Sequence, residues 1–322
     1  MSLRGPVPGG YRNLISGLFL LLVCASLAVP GEELVAESWT FPSKNLPPLV
    51  HFPASMQQQA KLFHASLKSM PEATIVYGGI VFGNNVFQLS QEQSSSLLSL
   101  ISKAYQDIQQ DPVLSKLPSS LPYCFAEEEH TTGQTFVTYP ENLPKKPLCI
   151  VFLHGYGGNF LFYPYALSKA FPEALILYPS WGISWGGGSL KYLMDLLNHT
   201  EKKLGVRIES PWLMGLSAGG RGGFSIYRDT GAFFAGYISL AAAPPKSMAD
   251  HFEKEMNILM INSTEDAMCP LKLAKERAGW IKQSPANFQF VEVPGNHFFL
   301  LSHPEPTFKA CREYMGRVGH AR

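Results

Sequence analysis

The sequence predicts an α/β protein: a mostly parallel central sheet with helices on both faces, preceded by an N-terminal accessory region. Three observations carry that expectation. From about residue 122 onward, short runs rich in Val, Ile, Leu and Phe alternate with helix-length segments, the rhythm of parallel strands joined by crossover helices. One of those runs, residues 211–216, stops abruptly in Gly215-Leu216-Ser217-Ala218-Gly219 and continues into small residues, which reads as a strand, a sharp turn and the start of a helix. And 46% of the 322 residues are apolar against 16% charged, ample for a core on both faces of a sheet.

Taken in order, the chain opens with Arg4 and Arg12 ahead of an apolar stretch, residues 14–29, that ends near Ser26-Leu27-Ala28 before Pro30-Gly31. This is the pattern of a secretory signal peptide, residues 1–28, cut near Ala28. A retained anchor is the competing reading, but about sixteen apolar residues are short for a membrane span. The mature chain is therefore expected to be secreted or periplasmic, with membrane association only if the N-terminal segment is retained.

Residues 29–121 form an accessory region with no chemistry legible in them. Prolines punctuate residues 41–53, a helix is expected over 56–70, and residues 73–89, rich in Val, Ile, Gly and Phe, predict a strand pair turning at Gly83-Asn84-Asn85. Leu97, Leu98, Ile101, Tyr105 and Ile108 then share one helix face. In the main domain, residues 122–322, strands are expected at 134–139, 148–153, 174–178, 211–216, 234–241, 257–262 and 288–293. Helices are expected at 165–171, 190–204, from the serine turn to 227, at 271–281 and at the C-terminus.

Composition narrows the function. Lys+Arg number 26 and Asp+Glu 25, with no long run of either sign, so no nucleic-acid surface is expected and the partner is a small molecule. The five cysteines contain no C-x-x-C pair and the histidines no H-x-x-x-H spacing, so neither metal nor cofactor is expected. Export leaves Cys124, Cys149, Cys269 and Cys311 where disulfides can form, and spacing does not choose among their pairings. Cys149, within an apolar run, reads as a small buried hydrophobe.

The serine turn makes Ser217 the candidate nucleophile, and such a turn needs an acid and a histidine later in the chain and an oxyanion loop earlier. Asp266 lies in the loop after the apolar run 258–262, with Glu265 its neighbouring rival. His297 lies in Pro294-Gly295-Asn296-His297, just past the strand at 288–293, with His303 the alternative. Leu153-His154-Gly155-Tyr156-Gly157-Gly158-Asn159 follows a strand and carries the glycines that let backbone N–H groups turn toward a developing oxyanion, the donors being those of Tyr156 and Ala218. Phe160, Phe162, Tyr163, Tyr165, Trp181, Trp185 and Phe298 fall on or near the loops at the mouth of such a site. Of these, Trp181, Trp185 and Phe298 are the candidate substrate pocket, with residues 181–188 as a mobile rim.

Together these four stretches, with Asp266-Ala267-Met268-Cys269-Pro270 and Gly295-Asn296-His297 as the last two, resemble the α/β-hydrolase superfamily. The resemblance is nearest to its serine esterases of the phospholipase/carboxylesterase, feruloyl-esterase and polyhydroxyalkanoate-depolymerase kind. Cys269 stands where those groups' Asp-x-x-Val-Pro loop has Val, and the histidine loop is one residue shorter if Gly295 is the matching glycine. The resemblance covers residues 123–322. It implies an α/β-hydrolase fold and a serine carboxylesterase working through Ser217, His297 and Asp266. A secreted serine peptidase, an acyltransferase and a catalytically silent binding protein share the same fold and stay open.

Overall fold

Four of the apolar runs become five-residue strands in which every residue is buried: β3 (Cys149–Leu153), β4 (Leu175–Pro179), β5 (Trp212–Leu216) and β6 (Gly236–Leu240). Such runs, apolar at every position rather than at alternate ones, are what a parallel sheet covered on both faces requires. The computed structural model describes residues 33–186, 188–230 and 233–320, apart from the side chains of 84, 85 and 320. The expected signal peptide, residues 1–28, lies outside the described residues.

With β1 (Leu34–Phe41), β2 (Gly133–Pro140), β7 (Asn257–Ser263) and β8 (Asn287–Val293), these strands form one eight-stranded sheet in the order β1-β2-β4-β3-β5-β6-β7-β8. β2 is antiparallel to both its neighbours, and every other pairing is parallel. Alternation along the strands splits the core in two. Phe152, Met214, Ile238 and Ile261 face one cluster, while Val151, Leu213, Tyr237 and Met260 face the other.

Helices cover both faces, with two four-residue helices, α4 (Leu121–Cys124) and α9 (Phe299–Ser302), among the longer ones in chain order. α5 (Phe162–Ala170) and α10 (Pro304–His320) send Leu167, Phe308 and Tyr314 into the first cluster. α6 (Ser189–Leu204), α7 (Ala218–Thr230) and α8 (Leu271–Lys282) send Leu193, Phe224 and Ala274 into the second.

The N-terminal third differs from expectation in two places. Residues 34–41, within the stretch set aside as accessory, are the edge strand of the sheet, paired with β2 from Leu34↔Pro140 to Phe41↔Gly133. Residues 33–322 form one compact unit. The strand pair expected at 73–89 is instead one helix, α2 (Glu72–Phe87), between α1 (Gln57–Ser69) and α3 (Gln91–Gln110). Pro71 presets its start with φ −57°, and Gln88, at φ +52°, ends it in the left-handed region. Ala73, Val76, Ile80 and Phe87 pack against the same core as Leu97, Ile101 and Tyr105 of α3, a spacing that only a helix brings to one side. β-branched composition favours strands weakly, and this packing outweighs it.

One buried carboxyl ties these helices to one another and to the start of α5. Glu72 accepts hydrogen bonds from Tyr105 O–H and from the N–H of Leu161, both at 2.6 Å, and from Ser119 O–H. Burial raises its pKa, against the lowering effect of the three donors. Cys124, Cys149, Cys269 and Cys311 are all buried free thiols, and burial pushes Cys124 up to about 11 and Cys311 up to about 12.

Candidate active site

β5 ends at Leu216 and α7 starts at Ala218, leaving Ser217 alone at the turn. Its φ is +54°, in the left-handed region that residues other than glycine rarely adopt. Backbone bonds on both sides hold it there: the Ser217 N–H donates to Leu240 O and Arg221 N–H donates to Ser217 O, each at 2.8 Å. Two glycines make the turn possible. A Cβ on Gly215 would stand 2.5 Å from the Gly219 carbonyl oxygen, and one on Gly219 would collide with the Leu153 carbonyl.

The loops after β7 and β8 carry the acid and the histidine, and they are stitched together. Thr264 N–H donates to Val293 O, Glu265 N–H to Gly295 O and Ser263 O–H to Asn296 O, at 2.8–3.0 Å. Gly295, at φ +98°, turns the chain toward His297. Asp266 is only 4% exposed, and its Oδ1 accepts the N–H groups of Met268 and Cys269, both at 2.8 Å. His297 Nδ1 lies 2.9 and 2.8 Å from the two Asp266 oxygens, and its Nε2 lies 2.8 Å from Ser217 Oγ. A carboxylate accepts only, so Nδ1 carries the ring proton and Nε2 is left as the acceptor facing the serine hydroxyl.

The rivals lie elsewhere. Glu265 accepts from Gln93 Nε2 at 2.8 Å, and His303 Nδ1 sits 2.9 Å from Ser302 Oγ, so neither joins the relay.

The loop after β3 passes beside the serine: a Cβ placed on Gly155 would lie 3.7 Å from Ser217 Cβ. His154 holds this loop from below. Its Nδ1 is 2.8 Å from Gly155 O, its Nε2 accepts the Trp181 N–H at 3.1 Å, and its carbonyl accepts Trp185 Nε1–H at 3.0 Å. Only the neutral ring protonated on Nδ1 satisfies both contacts, and burial pushes its pKa down to about 4. Tyr156 follows Gly155 with its side chain 69% exposed, so what it can offer the serine is its backbone. Ala218 opens α7 and lines the cleft with Ser217.

That cleft encloses about 580 Å³, with Ser217, His297, Trp185 and Met268 among its walls. The three aromatics expected in a substrate pocket divide. Trp185 lines the cleft, but its ring is buried and its N–H is engaged by His154. Trp181 does not line it: at 2% exposed it belongs to the core, stacked on Trp185 and edge-on to Tyr192, because residues 181–185 are drawn inward by the bonds to His154. Those bonds hold residues 181 and 185 of the stretch 181–188 expected to be a mobile rim, of which residue 187 lies outside the described residues. Phe298 is half-buried and lies edge-on to Phe87 of α2, with ring centroids 4.9 Å apart, so it packs the histidine loop against the N-terminal helices. Phe162 and Tyr163 are likewise buried in the core.

Two cleft residues had gone unread, Arg221 and Arg277. Arg221 carried a signal, since four residues beyond Ser217 on a helix means the same face. Arg277, from a different helix, carried none.

A mostly parallel sheet in this strand order, with a serine elbow after β5, an acid after β7 and a histidine after β8, defines the α/β-hydrolase fold. No protein-family model matches the chain, and no curated protein sequence matches it. Among solved structures it is similar to a ferulic acid esterase, at 16% identity and TM-score 0.48 over 58% of this chain and 93% of that one. It is also similar to the Pyrococcus furiosus esterase Pf2001, at 13% identity and TM-score 0.47 over 58% and 88% of the two chains. A third likeness is to Est1E from Butyrivibrio proteoclasticus, at 15% identity and TM-score 0.46 over 58% and 94%.

Proposed function

We propose that this protein is a serine hydrolase that cleaves carboxylic esters through an acyl-enzyme. The observation that carries the proposal is the unbroken relay from Ser217 Oγ through His297 to Asp266, at 2.8 Å on each side of the imidazole. Ser217 Oγ attacks the ester carbonyl carbon as its proton passes to His297 Nε2. The Asp266 carboxylate keeps the ring in the right tautomer and stabilises the imidazolium that forms. The oxyanion is bound by the N–H groups of Tyr156 and Ala218, donors of a kind worth roughly 3–4 kcal/mol each.

Collapse of the tetrahedral intermediate breaks the C–O bond to the alcohol, which leaves with the proton from Nε2. Water then gives a proton to Nε2 and attacks the acyl group; the acid departs and Ser217 recovers its proton. With residues 1–28 read as a signal peptide, this chemistry takes place outside the cytoplasm.

The test is turnover of a p-nitrophenyl ester series from acetate to palmitate, with methyl ferulate and a peptide anilide, by the mature protein and by Ser217→Ala. Ester turnover reduced roughly 10⁴- to 10⁶-fold in the variant, with unchanged circular dichroism, is the expected result. A variant that keeps half the activity removes Ser217 from the mechanism, and faster turnover of the anilide than of any ester makes the protein a peptidase.

A further inference from the structure

Charge in the cleft is one-sided. Apart from His297 and the Cys269 thiol, the only ionisable residues lining it among the described residues are Arg221 and Arg277, and no described Asp or Glu lines it. The nearest carboxyl in the relay, Asp266, lies behind His297 with both oxygens engaged. Neither arginine forms an ion pair among the described residues. In a chain whose formal net charge is only +1, two unpaired guanidinium groups in one cleft are a local feature and not a consequence of overall composition.

Each is placed to be used. Arg277 is ordered without a counter-ion: its Nη1 donates to Pro244 O at 2.7 Å, its guanidinium lies 5.7 Å from the Trp280 ring centroid, and its buried Nε has no acceptor. Arg221 lies in the first turn of α7, its N–H donating to Ser217 O at 2.8 Å, and lines the cleft together with Ser217 and with Ser225 one helical turn further on. Like charges lining one cleft repel, and a bound anion relieves the repulsion. The planar fork of a guanidinium matches the two oxygens of a carboxylate.

We infer that the cleft selects esters carrying a carboxylate a few bonds from the scissile carbonyl, held by Arg221 and Arg277. The inference rests on the esterase reading and deepens it: Ser217 supplies the chemistry, and the arginines choose and orient the substrate. Product release then frees either a dicarboxylic acid, where the charge is on the acyl side, or a hydroxy acid, where it is on the alcohol side.

Two matched pairs test this. Mono-4-nitrophenyl glutarate against 4-nitrophenyl pentanoate places the charge on the acyl side; 4-acetoxybenzoate against 4-acetoxybenzamide places it on the alcohol side. With each kcat/KM normalised to uncatalysed hydrolysis, at least one charged ester is expected to exceed its neutral partner tenfold or more. That preference is expected to fall at least fivefold in Arg221→Gln and in Arg277→Gln and to weaken with added salt. Because the readout is a ratio within each variant, loss of folded protein cancels. Neutral esters turned over as well as both charged ones, or a preference that survives both substitutions, overturns the inference alone. No turnover of any of the four esters and no labelling by a fluorophosphonate overturns the esterase reading and this inference with it.

Discussion

Two imidazoles sit on either side of the elbow and do opposite things. His297 faces the cleft with its Nε2 against Ser217 Oγ and, in the proposed mechanism, takes the serine proton; His154 lies beneath the loop after β3 and is held neutral by burial. Its folded pKa, about 4, is below the ordinary 6.5, so its contribution to stability is complete above about pH 6.5 and is lost as pH falls toward 4. Protonation would set an N–H against the Trp181 N–H. Urea unfolding from pH 7 to 4.5, compared with His154→Gln, is expected to show the gap between the two proteins narrowing by up to about 3 kcal/mol across that window. A constant gap would mean that burial does not hold the ring neutral. At pH 8, with the folded fraction measured by circular dichroism, His154→Ala is expected to lower kcat per folded molecule roughly 10-fold or more by loosening the Gly155–Gly157 turn, with KM changed less. An unchanged kcat would separate this histidine from the catalytic geometry.

At the scale of elements, α2 shows what local sequence conceals. Its Val, Ile and Gly residues read as strands, yet the positions that pack, 73, 76, 80 and 87, were already at helical spacing. Period, weighed above composition, would have found it. β1 was missed for a different reason, because an edge strand is completed by a partner a hundred residues away, and nothing in residues 34–41 names residues 133–140. The strands and helices after residue 122 were legible because each fully buried strand is a continuous apolar run bounded by turn residues.

Glu72 is the test of how α2 is held. Glu72→Leu leaves Tyr105, Ser119 and Leu161 with donors lacking their acceptor, and at roughly 1–3 kcal/mol for each buried donor it is expected to cost 3 kcal/mol or more. Glu72→Gln keeps an acceptor and is expected to cost less. Because the folded pKa of Glu72 is raised, its contribution is fully present below the ordinary Glu range and declines as pH rises from there through the raised value. Glu72→Gln should lack that decline, and chemical denaturation between pH 4 and 8 compares the slopes. Parallel slopes would show that Glu72 does not titrate differently in the folded and unfolded chains.

Across the whole molecule, the relay is assembled at the carboxyl ends of β5, β7 and β8, from residues far apart in sequence whose chain order still gave them away. The pairing of Arg221 with Arg277 at the cleft was not legible, because they come from two helices that only the fold brings together. Since β1 joins the N-terminal third to the sheet and Glu72 joins it to the start of α5, a chain starting at residue 122 is expected to be insoluble or to lack cooperative thermal unfolding by circular dichroism. A folded, ester-cleaving fragment would make the N-terminal third dispensable. The most direct test of the account is to react the protein with a fluorophosphonate and map the adduct by peptide mass spectrometry. One adduct per chain, on Ser217, lost in His297→Ala and in unfolded protein, is the predicted result; ester turnover with the adduct on another residue, or with no adduct, would contradict it.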